Sequence, residues 1–417
     1  MSRSTRALVA SAALLAALPW IPGLDGNFAR SLLSQMGIAA IFAISYNLLL
    51  GQTGLLSFGH AVYFGLGGYA AIHLLRAVNA GLAIPIPFVP LAGAVAGLAA
   101  GIVVGAVATR RAGTIFALIT LGVGELVHAA SLMLPGFFGG EEGVTASRTK
   151  APHLFGLDFS SQVQVYYVIA FWLVVTALLA RAFMRTPVGR LCNAVRDNPE
   201  RAEFIGYNPQ RVRFIVCSVA AMFAGLAGGL HAINYEIVTS EAVGAMRSGE
   251  VLLMVYIGGV HHFIGAILGA VAITWLQVSL SGYTTAWLLY VGIFFMAIIL
   301  FAPGGLAQIL TRHAALFRTR ALPFVLRAYA FALPAAVLMI VGTATLIEIA
   351  YRLSTQPESG TRMKLFWIPM NAATPWPWLG ALAVVLVGFF LLRRATPRVR
   401  AAWELAGDEA RIEAAHA

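Results

Sequence analysis

Long runs of apolar residues restrict the fold of this chain more than any other feature of its sequence. The runs are about 17–25 residues long, which is the length that crosses ~30 Å of hydrocarbon as an α-helix. They lack the alternation of transmembrane strands, and backbone groups in lipid must be satisfied within the protein. Charged residues make up only 11% of the chain, too few to cover a soluble surface. We therefore predict an all-α fold, a polytopic transmembrane helix bundle of about 10–12 spans with no soluble domain.

The hydropathy pattern divides the chain into successive candidate spans. They cover residues 7–22, 31–50, 56–76, 86–108, 113–134, 162–182, 212–234, 250–281, 284–302, 322–348 and 376–392. The first run is short enough for a cleaved signal peptide, but the chain enters the next run directly, which favours an uncleaved helix. Glycines and histidines at 258–262 interrupt the run 250–281. We predict a break there, either a re-entrant turn between two short segments or an ordinary loop joining two tilted helices.

The net charge of +11 comes almost entirely from arginines in short loops. Cytoplasmic loops of membrane proteins are enriched in Lys and Arg, so this pattern predicts an orientation in the bilayer and argues against nucleic-acid binding. It places the loop 183–211 inside and the acidic loop 135–160 outside. With an even number of crossings in 250–281, the tail from Arg393 is also inside. We therefore predict a multi-pass inner-membrane protein with both termini in the cytoplasm.

Glycines recur at every fourth position of the span 86–108. Gly93, Gly97, Gly101 and Gly105 share one helix face, where a neighbouring backbone can approach closely. The pattern predicts tight helix packing and carries no information about a ligand.

The segment from Gly51 to Gly68 combines six glycines with four polar residues, Gln52, Thr53, Ser57 and His60. Such a composition makes a poor lipid-facing helix. The segment is therefore predicted to be buried and partly unwound, either lining a polar pathway or serving a structural role alone.

Glu125 is an acid in the middle of an apolar run, and His128 follows three residues later. An ionisable group at that depth costs at least about 2.5 kcal/mol and should face the protein interior or water. Residues three apart share a helix face. Two interpretations remain open, a polar residue or gate on a pathway and a buried hydrogen-bond staple between helices.

The basic loop contains a short, well-delimited helix. Asn198 can cap its N-terminus, Pro199 suits its first turn, and Glu200 and Glu203 favour its positive end. Gly206 then stops it. Ala202, Phe204 and Ile205 are predicted to give this helix an apolar side. A capped helix between two spans is suited to dock in a groove of a partner protein, although a solvated basic loop is the alternative.

Motifs for catalysis and cofactor binding are absent from the sequence. There is no GxxxxGK[ST] phosphate-binding loop, HExxH, CxxC or GxSxG. Cys192 and Cys217 have no metal-ligand spacing. We predict no catalytic residues, no metal site and no cofactor bound by this chain.

Four blocks in sequence resemble the LivM-type permeases of bacterial ABC importers for branched-chain amino acids. They are NLLLGQTGLLSFGHAVYFGLGGYA at 47–70, IFALITLGVGELV at 115–127, GGEEGV at 139–144 and RDNPERAEFIGYN at 196–208. The resemblance covers the region 30–310. It implies an ATP-driven importer of branched-chain or other hydrophobic amino acids, in which this chain is a transport subunit and not an enzyme.

The resemblance also implies partners and assigns residues. A LivH-like second permease would complete the translocation path in the lipid bilayer, and a periplasmic solute-binding protein would deliver the solute. Two cytosolic ABC ATPase subunits would hold ATP and Mg²⁺. The residues that fall in the family's coupling segment are Glu200, Ala202, Glu203 and Gly206, and those in blocks facing the presumed path are Asn47, Gln52, His60 and Glu125.

Other interpretations of function and of the chain's later part remain open. Within the same class, the solute could be urea, short amides or aromatic acids. In a different class, a proton-coupled secondary transporter would use Glu125 and His128 as a relay. We predict a permease domain at 1–310 and an appended part at 311–417, in which two spans flank a polar loop at 349–375 and a charged tail follows. That hairpin could instead recruit another membrane protein.

Overall fold

The computed structural model describes residues 13, 15–21, 23, 26–150, 159–316, 322–355, 361–365 and 368–416, and these are mainly helical. The earlier helices are α1 Asn27–Asn47, α2 Ala61–Asn79, α3 Val89–Ala108, α4 Thr114–Met133, α5 Pro135–Phe138, α6 Gln162–Arg185, α7 Pro187–Asp197 and α8 Pro199–Phe204. The later helices are α9 Pro209–Tyr235, α10 Ala245–Gly258, α11 Phe263–Ser281, α12 Trp287–Phe301, α13 Gly305–Leu316, α14 Leu322–Thr355 and α15 Pro375–His416.

Short elements connect these helices. A π-helical turn, Leu48–Gln52, continues α1, and 3-10 turns occur at Leu18–Trp20, Ile86–Phe88, Arg148–Lys150 and Ser240–Val243. Two antiparallel strand pairs are described, β1 Val144–Thr145 with β2 Ile237–Val238, and β3 Arg362–Leu365 with β4 Ile368–Asn371. The second pair lies within the polar loop predicted at 349–375, for which no strands were predicted.

The predicted polytopic helix bundle is confirmed. Nine of the described helices are long and apolar enough to cross a membrane, or up to ten if the bent pair α12 and α13 counts as one span. The predicted range of 10–12 included the run 7–22, half of which lies outside the described residues. It also allowed two crossings in 250–281. There the chain breaks after Gly258, and α10 has 14 residues, a length of ~21 Å that is too short to cross ~30 Å of hydrocarbon alone.

The second span begins later than the predicted residue 56. Residues 54–57 have no regular structure and α2 starts at Ala61. Gly54 has φ +69°, a conformation that favours glycine and ends the helical path. The backbone N–H of Ala61 then donates to Ser248 Oγ at 2.9 Å. A distant side chain therefore fixes the start of α2, which local sequence could not reveal.

The chain divides into two compact units, Met1–Tyr283 with Tyr290–Gln308, and Thr284–Leu289 with Ile309–Ala417. In the first unit, α1, α2 and α9 form the centre. The most hydrophobic window of α1 is 78% buried and that of α9 is 72% buried. By contrast, α4 is only 28% buried. One face of α4 packs against the unit and the other is left open.

In the second unit, α14 and α15 form an antiparallel pair. A Cβ at Gly342 would overlap Val385, and one at Gly388 would overlap Met339, so the two backbones pack closely. Near the end of α13, the hydroxyl of Tyr329 lies 2.8 Å from His313 Nε2 and accepts from Trp403 Nε1 at 3.0 Å. These polar contacts hold the start of α14 against α15.

Candidate functional site

The helices α7, α8 and α9 all start in or at the end of the basic loop, and each begins with a capping residue followed by proline. Thr186 Oγ1 accepts from the Gly189 N–H at 3.2 Å. Asn198 Oδ1 accepts from the Arg201 N–H at 2.8 Å, as the sequence predicted. Asn208 Oδ1 accepts in the same way at the start of α9, at 3.2 Å. Thr186-Pro187 and Asn208-Pro209 carry the same signal in the sequence, although only the cap at Asn198 was predicted.

The C-terminus of α8 is closed by Gly206, which has φ +95°. The Gly206 N–H donates to Glu203 O at 2.8 Å, and the Tyr207 N–H donates to Ala202 O at 3.1 Å. This is the glycine-terminated pattern that satisfies the last carbonyl groups of a helix. The predicted short helix and its stop therefore exist, held by local hydrogen bonds.

The side chains of α8 divide differently from the prediction of one apolar side. Ala202 is 3% exposed and faces the protein, whereas Phe204 is 91% exposed and Ile205 is 69% exposed. Because successive residues of a helix are rotated by about 100°, Phe204 lies ~200° from Ala202 and cannot share its face. Glu200 and Glu203 are also exposed. The segment therefore presents two acids and two large apolar side chains to its surroundings.

Arg196 joins this loop to the turn after α1. Its Nη1 donates to the Gly51 carbonyl at 2.6 Å, and its Nε pairs with Asp197 Oδ1 at 3.0 Å. The contact places the turn 48–60 on the same side of the unit as the loop 186–208. On the other side, β1 pairs with β2, so the loops between α4 and α6 and between α9 and α10 lie together.

The polar residues after α1 lie inside packed protein. Asn47, Gln52, Thr53, Ser57 and His60 are all buried. The Ser45 hydroxyl lies 2.9 Å from His60 Nε2, and the His60 ring contacts three aromatic rings, those of Phe42, Tyr46 and Tyr63. In the described conformation these residues are enclosed by protein.

Three of these residues also hold buried polar atoms that have no hydrogen-bond partner within the described part of the chain. The atoms are Asn47 Oδ1, Ser57 Oγ and His60 Nδ1. Unsatisfied buried polar groups are rare in proteins, and each calls for a water, a ligand or another conformation to satisfy it.

Glu125 and His128 have different surroundings. Glu125 is exposed on α4, so the interpretation as a buried staple within this chain is wrong. His128 is partly buried and its Nδ1 lies 3.2 Å from the Ser240 carbonyl oxygen, so this nitrogen carries the hydrogen. The open face of α4 repeats at intervals of three and four residues, at Ile115, Leu118, Gly122, Glu125, Ala129 and Leu132.

The glycine stripe of α3 faces α9. A Cβ at Gly93 would overlap the Gly225 carbonyl, one at Gly97 would overlap the Ala221 carbonyl, and one at Gly101 would overlap the Ala221 side chain. At Gly105 the nearest atoms would be at 3.4 Å, in the Phe214 side chain. The first three positions therefore have no room for a larger side chain than that of glycine, whereas the fourth has room for a Cβ.

The far side of the unit has polar contacts between residues that lie far apart in the sequence and that no motif predicts. Arg148 Nη1 donates to the carbonyls of Ile233 and Asn234 at 3.1 Å each, and its backbone N–H donates to Glu236 Oε1 at 2.6 Å. A cation at a helix C-terminus is favourable, so Arg148 closes α9. Beside it lies a cavity of about 440 Å³, lined by Arg76, Asn79, Thr145, Ala146, Ser147, Lys150 and Glu236.

Within the described residues, no cluster of three or more His, Cys, Asp or Glu side chains could hold a metal ion. Cys192 and Cys217 are both buried, and both are free thiols that form no disulfide.

Residues 28–303 match the protein family described as branched-chain amino acid transport system / permease component. The chain is similar to the high-affinity branched-chain amino acid transport system permease protein LivM of Salmonella typhimurium (strain LT2), with 28% identity over 71% of this chain and 73% of the relative. LivM of Escherichia coli (strain K12) is 27% identical over 64% and 67%, respectively. The probable branched-chain amino acid transport permease protein LivH of Methanocaldococcus jannaschii is 26% identical over 56% and 73%. No solved structure matches the chain.

Proposed function

The chain belongs to the family of branched-chain amino acid transport system permease components, and from this membership we propose that it forms one half of the translocation path of an ATP-driven importer. The membership confirms the resemblance to LivM-type permeases and makes the chain a transport subunit. Because the relatives are named as branched-chain amino acid permeases, we propose branched-chain or other hydrophobic amino acids as the solute.

The exposed apolar pair at the C-terminal end of α8, Phe204 and Ile205, is the observation that carries the ATP-driven mechanism. Phe204 and Ile205 project from a loop rich in arginine, where water would surround them in the isolated chain. Large apolar side chains clustered on a polar surface mark a protein-binding site. We assign this site to a cytosolic ABC ATPase, which would bind ATP and Mg²⁺ and move α8 when it closes. Asn198 and Gly206 would fix the ends of the helix, and Glu200 and Glu203 would orient it.

The open face of α4 supports a second permease as partner. Glu125 is exposed at the middle of a 20-residue span, where contact with lipid alone would be costly. A LivH-like permease facing α4 would exclude lipid and leave Glu125 beside a polar path between the two subunits. His128 is held by Ser240, so in this proposal Glu125 acts without it.

The buried polar residues after α1 would belong to the same path in another conformation. Unpartnered atoms of Asn47, Ser57 and His60 would find partners when the turn 48–60 moves and water or solute enters. Gln52, in the same turn, would move with them. Alternating access requires such a rearrangement, because a path open to both sides at once would leak.

Orientation in the bilayer follows from the arginine-rich loop. We propose that the side carrying 48–60 and 186–208 is cytoplasmic and that both termini lie there. The opposite side, with β1, β2 and the cavity beside Arg148, would receive a periplasmic solute-binding protein.

We further propose that residues 1–310 form the permease domain and 311–417 an appended part. Deleting 321–417 should leave assembly and uptake intact, and loss of either would contradict this division.

Reconstitution tests the function as a whole. The chain is co-expressed with a LivH-like permease and two ABC ATPases, placed in liposomes, and supplied with the binding protein and radiolabelled leucine. Uptake should require ATP and persist when a protonophore removes the proton gradient. Uptake that survives without ATP but stops with the protonophore would show a secondary transporter instead. If urea, a short amide or an aromatic acid is taken up and leucine is not, that compound and not leucine is the solute.

The docking site is tested in the same system. Phe204→Ser combined with Ile205→Ser should abolish co-purification of the ATPase, because both side chains are exposed and their removal leaves the core unchanged. Leu405→Ser is the matched control, since Leu405 is 56% exposed and lies beyond the family match. Equal recovery of the ATPase with both variants would refute docking at α8.

A further inference from the structure

Three interruptions of helical structure meet at one level of the first unit. The first is the π-helical turn Leu48–Gln52, the second is the break between α10 and α11, and the third is the break between α12 and α13. We call these three segments together, residues 48–54, 259–262 and 302–305, the break layer. Arg196, at the end of α7 in the arginine-rich loop, donates a hydrogen bond to this layer.

The first and second breaks are joined by backbone contact. A Cβ at Gly51 would overlap the Val260 carbonyl oxygen and lie 2.6 Å from Asn47 Nδ2. Asn47 Nδ2 in turn donates to the same Val260 carbonyl at 2.7 Å. The turn after α1 therefore cannot shift toward the break at 259–262 without displacing Val260.

The second and third breaks are joined in the same way. Gly259 has φ +112°, and a Cβ there would overlap the Gly304 carbonyl. A Cβ at Gly305 would overlap the backbone N of Gly259. With no side chains between them, these backbones act as contiguous rigid surfaces, and displacement of one is transmitted to the next.

Arg196 contacts the first break at two points. Its guanidinium donates to the Gly51 carbonyl, while its aliphatic stem covers Gly54, where a Cβ would lie 2.9 Å from Arg196 Cγ. Arginine makes charge-assisted hydrogen bonds that are shorter and stronger than neutral ones. The side chain is thus both a hydrogen-bond donor to the turn and a steric stop against it.

We infer that Arg196 is a positioning residue that transmits movement of the α7–α8 loop to the break layer, and through Gly51 and Val260 to the ends of α1, α10 and α11. The inference rests on the proposed function for its role in transport, because it needs an ATPase that moves the loop. The series of contacts from Arg196 through Gly51 to Val260 lies within the first unit and needs no partner protein. It makes the break layer the place where the bundle changes conformation.

A first experiment needs no partner protein. Hydrogen exchange of the full-length chain in lipid nanodiscs is compared for wild type, Arg196→Met and two controls. Arg196→Met should accelerate exchange by about fivefold, at the lower end of typical coupling between sites, both in 48–55, where Arg196 forms its hydrogen bond, and in 256–263, which is linked to 48–55 through Gly51 and Val260. Acceleration confined to 48–55, or absent, would overturn the inference.

The controls separate the Gly51 contact from the charge. Asp197→Asn removes the ion pair of Arg196 but retains its hydrogen bond to Gly51, and Arg190→Met removes an exposed arginine from the same helix. Both should exchange as wild type does. Equal acceleration with Arg190→Met would mean that loss of positive charge, and not the Gly51 contact, controls the layer.

A second experiment uses the reconstituted importer. Arg196→Met should retain ATPase binding and hydrolysis but lower leucine uptake per ATP by about tenfold. Arg196→Lys, which keeps one donor and a similar stem, should recover part of that ratio. Uptake and hydrolysis that fall in proportion would indicate a docking or folding defect and overturn the transmission role. If the wild-type complex itself shows no ATP-driven uptake, the proposed function fails while the exchange result still stands.

Discussion

The side-chain amide of Asn47 donates a hydrogen bond to the carbonyl oxygen of Val260 at 2.7 Å, across 213 positions of the chain. Both residues lie where a helix is interrupted, α1 at its end and the α10–α11 pair at its break. The amide therefore satisfies a carbonyl group that the interrupted helix leaves without an intrahelical donor. Polar residues at broken spans hold the backbone of a neighbouring span.

Replacing Asn47 with alanine should lower the stability of the chain by about 1–3 kcal/mol, because a partly buried carbonyl loses its donor. The measurement is the apparent melting temperature in detergent. Asn27→Ala is the control, since Asn27 is exposed at the start of α1. A melting temperature that is the same for both variants would show that water replaces the amide.

Gly97→Ala should destabilise the chain by about 1–3 kcal/mol, the usual cost of overpacking a tight contact. Its Cβ would meet the Ala221 carbonyl, which is backbone and cannot rotate away. Gly105→Ala should be neutral or slightly stabilising, because its neighbour is a side chain and alanine favours helix by about 0.5–1 kcal/mol. Thermal unfolding of the two variants compares them directly. Equal effects would mean that the stripe does not set the α3–α9 distance.

Glu125→Gln should slow uptake of leucine by the assembled importer without lowering the melting temperature of the isolated chain. The side chain is exposed in that chain, so it contributes little to its packing. Glu404→Gln, in the tail, should change neither quantity. A normal transport rate together with a lower melting temperature would return Glu125 to a structural role.

Gly206→Leu should weaken co-purification of the ATPase, because a residue with a Cβ is strained at φ +95° and α8 would lose its stop. Glu203→Arg should have the same effect through charge reversal on an exposed position. Gly81→Leu is the control for backbone strain, since Gly81 has φ +116° and a Cβ there would meet no atom within 4 Å. Recovery of ATPase that is equally poor with Gly81→Leu would point to misfolding.

Cys192 should resist alkylation at neutral pH. Burial raises the pKa of its thiol from 9.0 to about 11, so at pH 8 about one thiol in a thousand is ionised, and the ionised fraction grows about tenfold per pH unit up to pH 10. In a Cys217→Ala chain, iodoacetamide labelling should follow that slope and accelerate sharply when detergent unfolds the loop. Rapid labelling at pH 8 in the folded chain would contradict burial of α7 against the unit.

Short-range signals in the sequence were sufficient for the capped helix. Asn198, Pro199 and Gly206 each act through bonds to neighbours within a few residues, so their pattern predicts α8 and its ends. The prediction was wrong in placing Phe204 on the same apolar side as Ala202, because helical rotation turns Phe204 away from Ala202. Thr186 and Asn208 carried the same local signal and were not used.

The surroundings of the candidate path residues, by contrast, could not be predicted from short-range signals. Gln52, Ser57 and His60 are polar residues in a glycine-rich segment, which predicted burial and a partly unwound turn. Their enclosure by Phe42, Tyr46 and Tyr63, and the link from Arg196 to Gly51, depend on which helices meet. Glu125 required the tertiary structure as well, since an acid in an apolar run looks the same in sequence whether its face is covered or open.

Hydropathy and local motifs were enough to predict a helical membrane protein, the approximate ends of most spans, and the loop that carries the short helix. Those properties come from hydropathy and from hydrogen bonds between near neighbours. The packed structure was needed to show that α10 is too short to cross alone, that three broken segments contact one another, and that one face of α4 is left open. These depend on contacts between residues up to 213 positions apart, and such contacts form only once the helices have packed.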